Sequence, residues 1–348
     1  MTHIKINHLT RIEGHGNLEV QFRKGLSDAR FSVVEAPRFF EVLLRGQNYR
    51  EVTHIASRIC GICAISHKCA ALKATESAMD VRISEQTELL RRLACHGEVL
   101  SSHVLHIYFL AGPDYLDVPS IFPMLNTNRT LVDRAVRLKE LGYFLCDVVA
   151  GRHTHPVAMT VGGFSFVHDT NALEGLRDRL ENAMEDLKDT VRLFKTFRIP
   201  ELERETEYVS LKHPERYAFY DGELYSSERE TVPVKHYGER IKESVVTNST
   251  AKYAHWNRSE YMVGALSRFN NNYDQLSHLA KEAAVELNLK APCFNPFMIT
   301  IAQIVECVHC VEDGLNLTDR LLESGIEPDG EQADFEIFAG KGVGAVEA

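Results

Sequence analysis

Arg58-Ile59-Cys60-Gly61-Ile62-Cys63, with His67 four residues further on, carries more reactive chemistry than any other stretch of the chain. Two thiols three positions apart can grip one metal from a single turn of backbone, and Gly61 lets that turn tighten. Arg58 offers a positive charge that favours thiolate over thiol. If the segment runs on as a helix, His67 at i+4 stands over Cys63 and can donate a hydrogen bond to its sulfur. Taken alone, such a pair suits half a zinc site or a thioredoxin-like redox couple. The zinc reading needs a second matched pair, and the redox reading needs a βαβ context that the flanking pattern does not supply. Two cysteines packed as small apolar groups are the plainest alternative, and the flanking Arg, Gly and His speak against it.

Four further groups invite a role. Thr10-Arg11-Ile12-Glu13-Gly14-His15-Gly16 puts a carboxyl and an imidazole on a glycine-rich loop at a strand end, where functional side chains are often presented. Glu41 follows Ala36-Pro37-Arg38-Phe39-Phe40, and His153 and His155 flank Thr154 before Pro156. Cys307-Val308-His309-Cys310 repeats the spacing of the first pair and tempts one to assemble a four-thiolate site. It lies inside the apolar stretch 299–317, however, where positions i and i+3 share a helix face and pack. Core packing is therefore preferred there, and Cys69, Cys95, Cys146 and Cys293, each isolated, read as buried thiols.

The pattern Arg-x-Cys-Gly-x-Cys-x-x-x-His resembles the N-terminal nickel-binding motif of the nickel–iron hydrogenase large subunit. The Arg11-Ile12-Glu13-Gly14-His15 run resembles a second signature of those subunits, at about the separation found there, and Gly151 to Gly163 resembles a looser third. The resemblance implies a nickel–iron centre, with Cys60 on nickel and Cys63 bridging nickel to an iron that carries carbon monoxide and cyanide. It implies heterolytic, reversible oxidation of H2, with Glu13 as proton gate, His15, Arg58 and His67 around the site, and Glu41 on a structural magnesium. The short spacing suggests the cytoplasmic, bidirectional branch. The chain has no cysteine array for iron–sulfur clusters of its own. A small subunit bearing them is implied, within a larger electron-transfer complex that is heterodisulfide reductase-like or reduces a soluble cofactor.

The resemblance breaks at Gly342-Val343-Gly344-Ala345-Val346-Glu347-Ala348, where a Pro-Arg-Gly segment and a second cysteine pair are expected to follow. A curtailed sequence is the preferred explanation, because the end falls inside a motif. Three others stay open: ligands from another polypeptide, a chain caught before maturation, or a metal-free, non-catalytic scaffold of an electron-transfer complex.

Among the elements that must hold these residues, 3–35 alternate in strand fashion and 38–46 predict a short helix. A second helix over 50–76 is interrupted at the Cys-Gly-Ile-Cys turn. Ser84 can cap a helix running toward Gly112-Pro113, another spans 128–149, and a third follows Asp169 with leucines at spacings of three and four. Residues 200–250 suggest hairpins or an irregular insertion, and helices resume near Ser259, Tyr273 and Pro296. The expectation is one large domain over 1–348, mainly α with small peripheral β-sheets (α+β), its multihelical core like that of the hydrogenase large subunit. The composition, 44% hydrophobic and 25% charged, is that of a globular domain. A net charge of −10 argues against a nucleic-acid partner. No apolar run approaches the ~20 residues of a membrane span. Eight cysteines in 348 residues are too sparse for a disulfide scaffold and read as reduced cytoplasmic thiols, some of them ligands.

Overall fold

The computed structural model describes residues 2–23, 26–167, 169–326 and 333–348. Its N-terminal part is an antiparallel sheet of three strands in sequence order, β1 (Thr2–Ile6), β2 (Gly16–Arg23) and β3 (Leu26–Val33). Ile4 pairs with Val20 and Ile6 with Leu18, so the alternation seen in the sequence lines up apolar side chains on one face. The predicted short helix is α1 (Phe39–Leu43). The interrupted one is α2 (Tyr49–Ala56), capped by Asn48, and α3 (Ala64–Ala78), with the cysteine turn between them.

The core is a bundle of long helices. α4 (Glu85–Val104) is capped by Ser84 as expected, and widens into a π-helical stretch over Leu105–Ala111 that the sequence pattern does not announce. Two one-turn helices, α5 (Gly112–Tyr115) and α6 (Met124–Thr127), lead to α7 (Arg129–Ala150). α4 and α7 approach closely where Gly97 meets Gly142: a Cβ on either would stand 2.9 Å or less from the other's carbonyl oxygen. The hairpin β4 (Met159–Thr160) and β5 (Gly163–Phe164) precedes α8 (Thr170–Lys195), whose Asp169 side chain accepts from Ala172 N. Leu173, Leu176, Leu180, Leu187, Val191 and Phe194 form its buried stripe.

The stretch expected to be hairpins or insertion is a small sheet. β6 (Glu207–Lys212), β7 (Glu223–Ser226) and β8 (Glu230–Val232) run antiparallel. A turn at α9 (Tyr237–Arg240) and the hairpin β9 (Lys242–Ser244) with β10 (Tyr253–His255) follow, and β11 (Tyr261–Met262) adds to β6 in parallel. Val209, Leu211, Leu224 and Trp256 give this part its own small core. Ser259 lies before a strand and not in a helix, a correction: α10 (Ala265–Asn272) starts only after Gly264, whose φ of 86° turns the chain. α11 (His278–Glu286) and α12 (Ile299–Ser324) complete the bundle, α12 packing on α4 and α8.

Residues 340–348 lie extended along α3. Cβ atoms at Gly340, Gly342 and Gly344 would overlap the carbonyls of Ala78, Ala74 and Ala70. Two residues of extended chain advance ~6.6 Å and four residues of helix ~6.0 Å, so alternate glycines meet successive alanines of one helix face. Small residues on both partners are what permit the contact.

Candidate metal centre

The sequence places the two cysteines in a turn, and the helices on either side fix where that turn points. α2 ends at Ala56, with Ser57 as its cap, and α3 begins at Ala64, with Cys63 at its cap position in a non-helical conformation (φ −105°, ψ 35°). The loop holding His153 and His155 packs beside this turn. His155 Nδ1 donates to the Ser57 carbonyl at 2.8 Å, and the Thr154 methyl approaches Gly61. His153 stacks on Tyr143 and bonds Asp147 at 2.8 Å. Both histidines are hydrogen-bonded struts of the loop.

Glu13 arrives from the N-terminal sheet. Its loop is folded by three left-handed residues, His8, Arg11 and Gly14, and anchored by Leu9 N to Gly16 O and by Arg11 to Asp114, each at 2.8 Å. Non-glycine residues adopt that conformation rarely and need local support. The result sets Glu13 Oε1 3.7 Å from Cys60 Sγ, across a sequence separation of 47 residues. His15 bonds Glu35 at 2.8 Å and stands edge-on to His8.

The thiols divide their proton unequally. The hydrogen bond from the Cys63 thiol, helped by the backbone N–H groups of Cys63 and Ile62, pulls the Cys60 pKa down to about 6; the same bond, with burial, drives Cys63 up. The arrangement favours the thiolate at Cys60 and keeps the proton on Cys63. Arg58, expected to supply this polarisation, turns its guanidinium to the His54 carbonyl at 2.9 Å. His67 continues the helix through its N–H to the Cys63 carbonyl. Among the described residues its half-buried ring makes no hydrogen bond to the Cys63 sulfur, and burial lowers its pKa. Glu41 is exposed and paired with Lys252 at 2.7 Å, which also holds Glu243 at 3.0 Å; Lys252 keeps the Glu41 carboxyl below the usual range.

Cys307 and Cys310 sit deep in the bundle on α12, as core packing requires. Cys69, Cys95 and Cys146 are buried too, whereas Cys293 is only half-buried in a loop, its backbone tied to Asn270.

Sequence reasoning missed two buried ionisable groups, Glu98 and Lys68, and a partly buried one, Glu347, close to the start of α3. Glu98, in the middle of α4, accepts from Ile65 N at 2.5 Å and Ser66 N at 3.0 Å, and burial raises its pKa to about 7. Lys68, fully buried, donates to the Pro156 carbonyl at 2.7 Å, and burial lowers its pKa to about 8. Glu347 bonds Arg268 at 3.0 Å and Leu211 N at 2.5 Å, while its own carbonyl accepts from the Ser66 hydroxyl. For Glu98 and Lys68 the available signal was a charged residue in the middle of a helix that packs in the core, which is exceptional unless a partner neutralises it; Glu347, in the extended 340–348 run, carried no such signal.

Two soft sulfur donors on one turn, one of them favoured as the thiolate, fit nickel and iron. A family model for the nickel-dependent hydrogenases matches residues 38–140, and a HoxL-like one matches 3–36. The chain is 33% identical to the alpha subunit of sulfhydrogenase 1 from Pyrococcus furiosus, over 99% of this chain and 81% of the relative. It is 28% identical to a vhu F420-non-reducing hydrogenase subunit from Methanocaldococcus jannaschii, over 100% and 89%. In fold it matches an NAD+-reducing [NiFe]-hydrogenase in the H2-reduced state with a TM-score of 0.84 at 24% identity, covering 97% and 81% of the two chains. It also matches the [NiFeSe]-hydrogenase of Dm. baculatum with a TM-score of 0.75 at 19% identity, covering 96% and 82%. With its cysteine turn, its Glu13 loop and this similarity along nearly its whole length, the chain belongs to the nickel-dependent hydrogenases as a large subunit, an oxidoreductase acting on hydrogen.

Proposed function

We propose that this subunit carries out reversible H2 ⇌ 2H+ + 2e−, with Cys60 and Cys63 binding the nickel–iron centre and Glu13 passing protons to and from it. The observation that carries this reading is the 3.7 Å approach of Glu13 Oε1 to Cys60 Sγ. When bound, the centre, its iron carrying carbon monoxide and cyanide, supplies the heterolytic cleavage of hydrogen. The protein's own part is proton handling: Cys60 takes a proton, and Glu13, next to it and at the outer end of the turn, accepts that proton and hands it to water. A carboxyl within reach of the sulfur and open to solvent suits that relay. Cys63, whose backbone N–H donates to Cys60 Sγ at 3.2 Å, fixes the spacing of the two donors. The retention of both thiols beside an acceptor carboxyl weighs against a metal-free scaffold.

The electrons leave through a small subunit with iron–sulfur clusters, within a larger electron-transfer complex in the cytoplasm. An apolar, solvent-facing surface next to the Glu13 loop supports such a partner. Ile4, Ile6, Phe22 and Phe31 on the sheet are each more than 40% exposed, and Phe39 and Val42 on α1 reach 59%. That all eight cysteines are free agrees with a reducing compartment. Among the described residues no helix is long and apolar enough to cross a membrane. Magnesium at Glu41 remains part of the proposal and requires that Lys252 give way.

The test is nickel analysis of the purified complex together with its D2/H+ exchange. Near-stoichiometric nickel with exchange that is lost in Cys63→Ser supports the reading; exchange retained in that variant would sink it.

A further inference from the structure

A helix begins with backbone N–H groups that have no partner in the helix itself. At α3 the cap residue is Cys63, and its side chain makes no capping hydrogen bond. The donors are met from elsewhere. Cys63 N–H points to Cys60 Sγ at 3.2 Å. Ile65 N–H donates to Glu98 Oε2 at 2.5 Å and Ser66 N–H to Oε1 at 3.0 Å, and the Ser66 hydroxyl also meets Oε1. Among the described residues every hydrogen-bond partner of the Glu98 carboxyl is on the first turn of α3. Glu98 itself is 3% exposed and flanked by Val99 and Leu100 of the core.

A carboxyl buried without a cation is costly unless several donors face it. Here the donors are a helix N-terminus, which favours negative charge. Its two oxygens divide the work, one on Ile65 and the other on Ser66, so the carboxyl acts as a two-pronged clamp on the residues that follow Cys63.

We propose that Glu98 is a positioning residue for the cysteine turn: held on α4, it fixes the first turn of α3 and thereby the direction in which Cys63 presents its sulfur beside Cys60. The proposal rests on reading Cys60 and Cys63 as metal ligands. Burial that lifts the Glu98 pKa to about 7 is consistent with it, since a carboxyl set against donors alone is only partly compensated. Chemistry also says which substitute can restore the clamp. Glutamine keeps one acceptor oxygen but sets its NH2 group against a backbone N–H, donor to donor, so it restores only one prong. Aspartate is one methylene too short to reach from α4. Alanine releases both.

The experiment uses the full-length chain purified without metal, with nickel(II) as the probe. Affinity and the thiolate-to-nickel charge-transfer absorption are recorded, along with the ratio of Cys60 to Cys63 alkylation by iodoacetamide. Glu98→Ala is expected to weaken nickel binding by about 10–100-fold, the range for outer partners of metal ligands. It should also shift the charge-transfer band and even out the alkylation ratio, with Glu98→Gln between it and the parent. A Glu98→Ala protein with the parent's affinity, band and alkylation ratio overturns the proposal and leaves Glu98 as packing alone. If the parent chain shows no thiolate–nickel band, the ligand reading fails and takes the proposal with it. Should Glu98→Ala not fold, Ser66→Ala removes one donor from the clamp while leaving both backbone donors; a few-fold shift in the same direction supports the proposal, and no shift overturns it.

Discussion

Two Cys-x-x-Cys pairs share one spacing and have opposite fates. Cys60 and Cys63 lie on a turn between helices, half-buried, with backbone N–H groups and Glu13 at hand. Cys307 and Cys310 lie inside a continuous 26-residue helix, each 1% exposed. On the turn, the Cys63 thiol, helped by free N–H groups, favours a thiolate at Cys60. Within the helix the N–H groups are already bonded to carbonyls four residues back, so the backbone offers the sulfurs no free donors. Burial then raises both α12 thiols well above the usual thiol range. The lesson is that spacing brings two sulfurs together, while the backbone around them decides whether they are ligands or packing.

The contrast can be broken most severely at Cys63. Serine there should abolish hydrogen uptake by the purified complex, whereas alanine at Cys310 should leave uptake unchanged; equal losses in the two variants would erase the distinction. Next in size is Glu13→Gln. We expect H/D exchange to slow by on the order of 10²–10⁴, the usual worth of a positioned acid–base group, with nickel content intact. Loss of the metal would make Glu13 structural instead. Thiol chemistry sharpens the comparison further. In the metal-free chain the lowered Cys60 pKa means that thiolate is present above about pH 6 and lost as pH falls through that value. Iodoacetamide should therefore label Cys60 with a midpoint near there, while Cys307 and Cys310 stay unlabelled through pH 9 in the folded protein; a Cys60 midpoint near the ordinary thiol value would remove the proposed polarisation. The smallest effect is expected from Cys310→Ala on stability, a loss of roughly 1 kcal/mol from the void left by one sulfur, read as a modest drop in the denaturation midpoint.

Much of the frame was legible because it is local. Ser84, Asn128 and Asp169 cap helices where their side chains reach the N–H three residues on, and the leucine spacing of α8 names its buried face. The break between α2 and α3 followed from Gly61 and the cysteines themselves. Less was legible where a rule of one residue met a neighbour from far away. Arg58 has the charge to polarise a thiol, yet its guanidinium donates to the His54 carbonyl. Lys252 reaches Glu41 from the β9–β10 hairpin, so the carboxyl expected on magnesium is ion-paired in the fold. Cys293, taken for a buried thiol, stays half-exposed because its loop hangs on Asn270 instead of entering the bundle.

By itself the sequence determined the turn that carries the two sulfurs, the helical phases that bury one face of each long segment, and the family to which the motifs point. All of these depend on chemistry within a few residues of chain. Only the tertiary structure decided that Glu13, 47 residues away, meets Cys60. It also decided that a glutamate in the middle of α4 holds the first turn of α3, and that glycines 340, 342 and 344 seat against Ala78, Ala74 and Ala70. Those outcomes come from packing long helices and a sheet against one another. A charge can stay in such a core only where another element brings the donors that replace water, and a donor's identity is written in the sequence while its arrival is not.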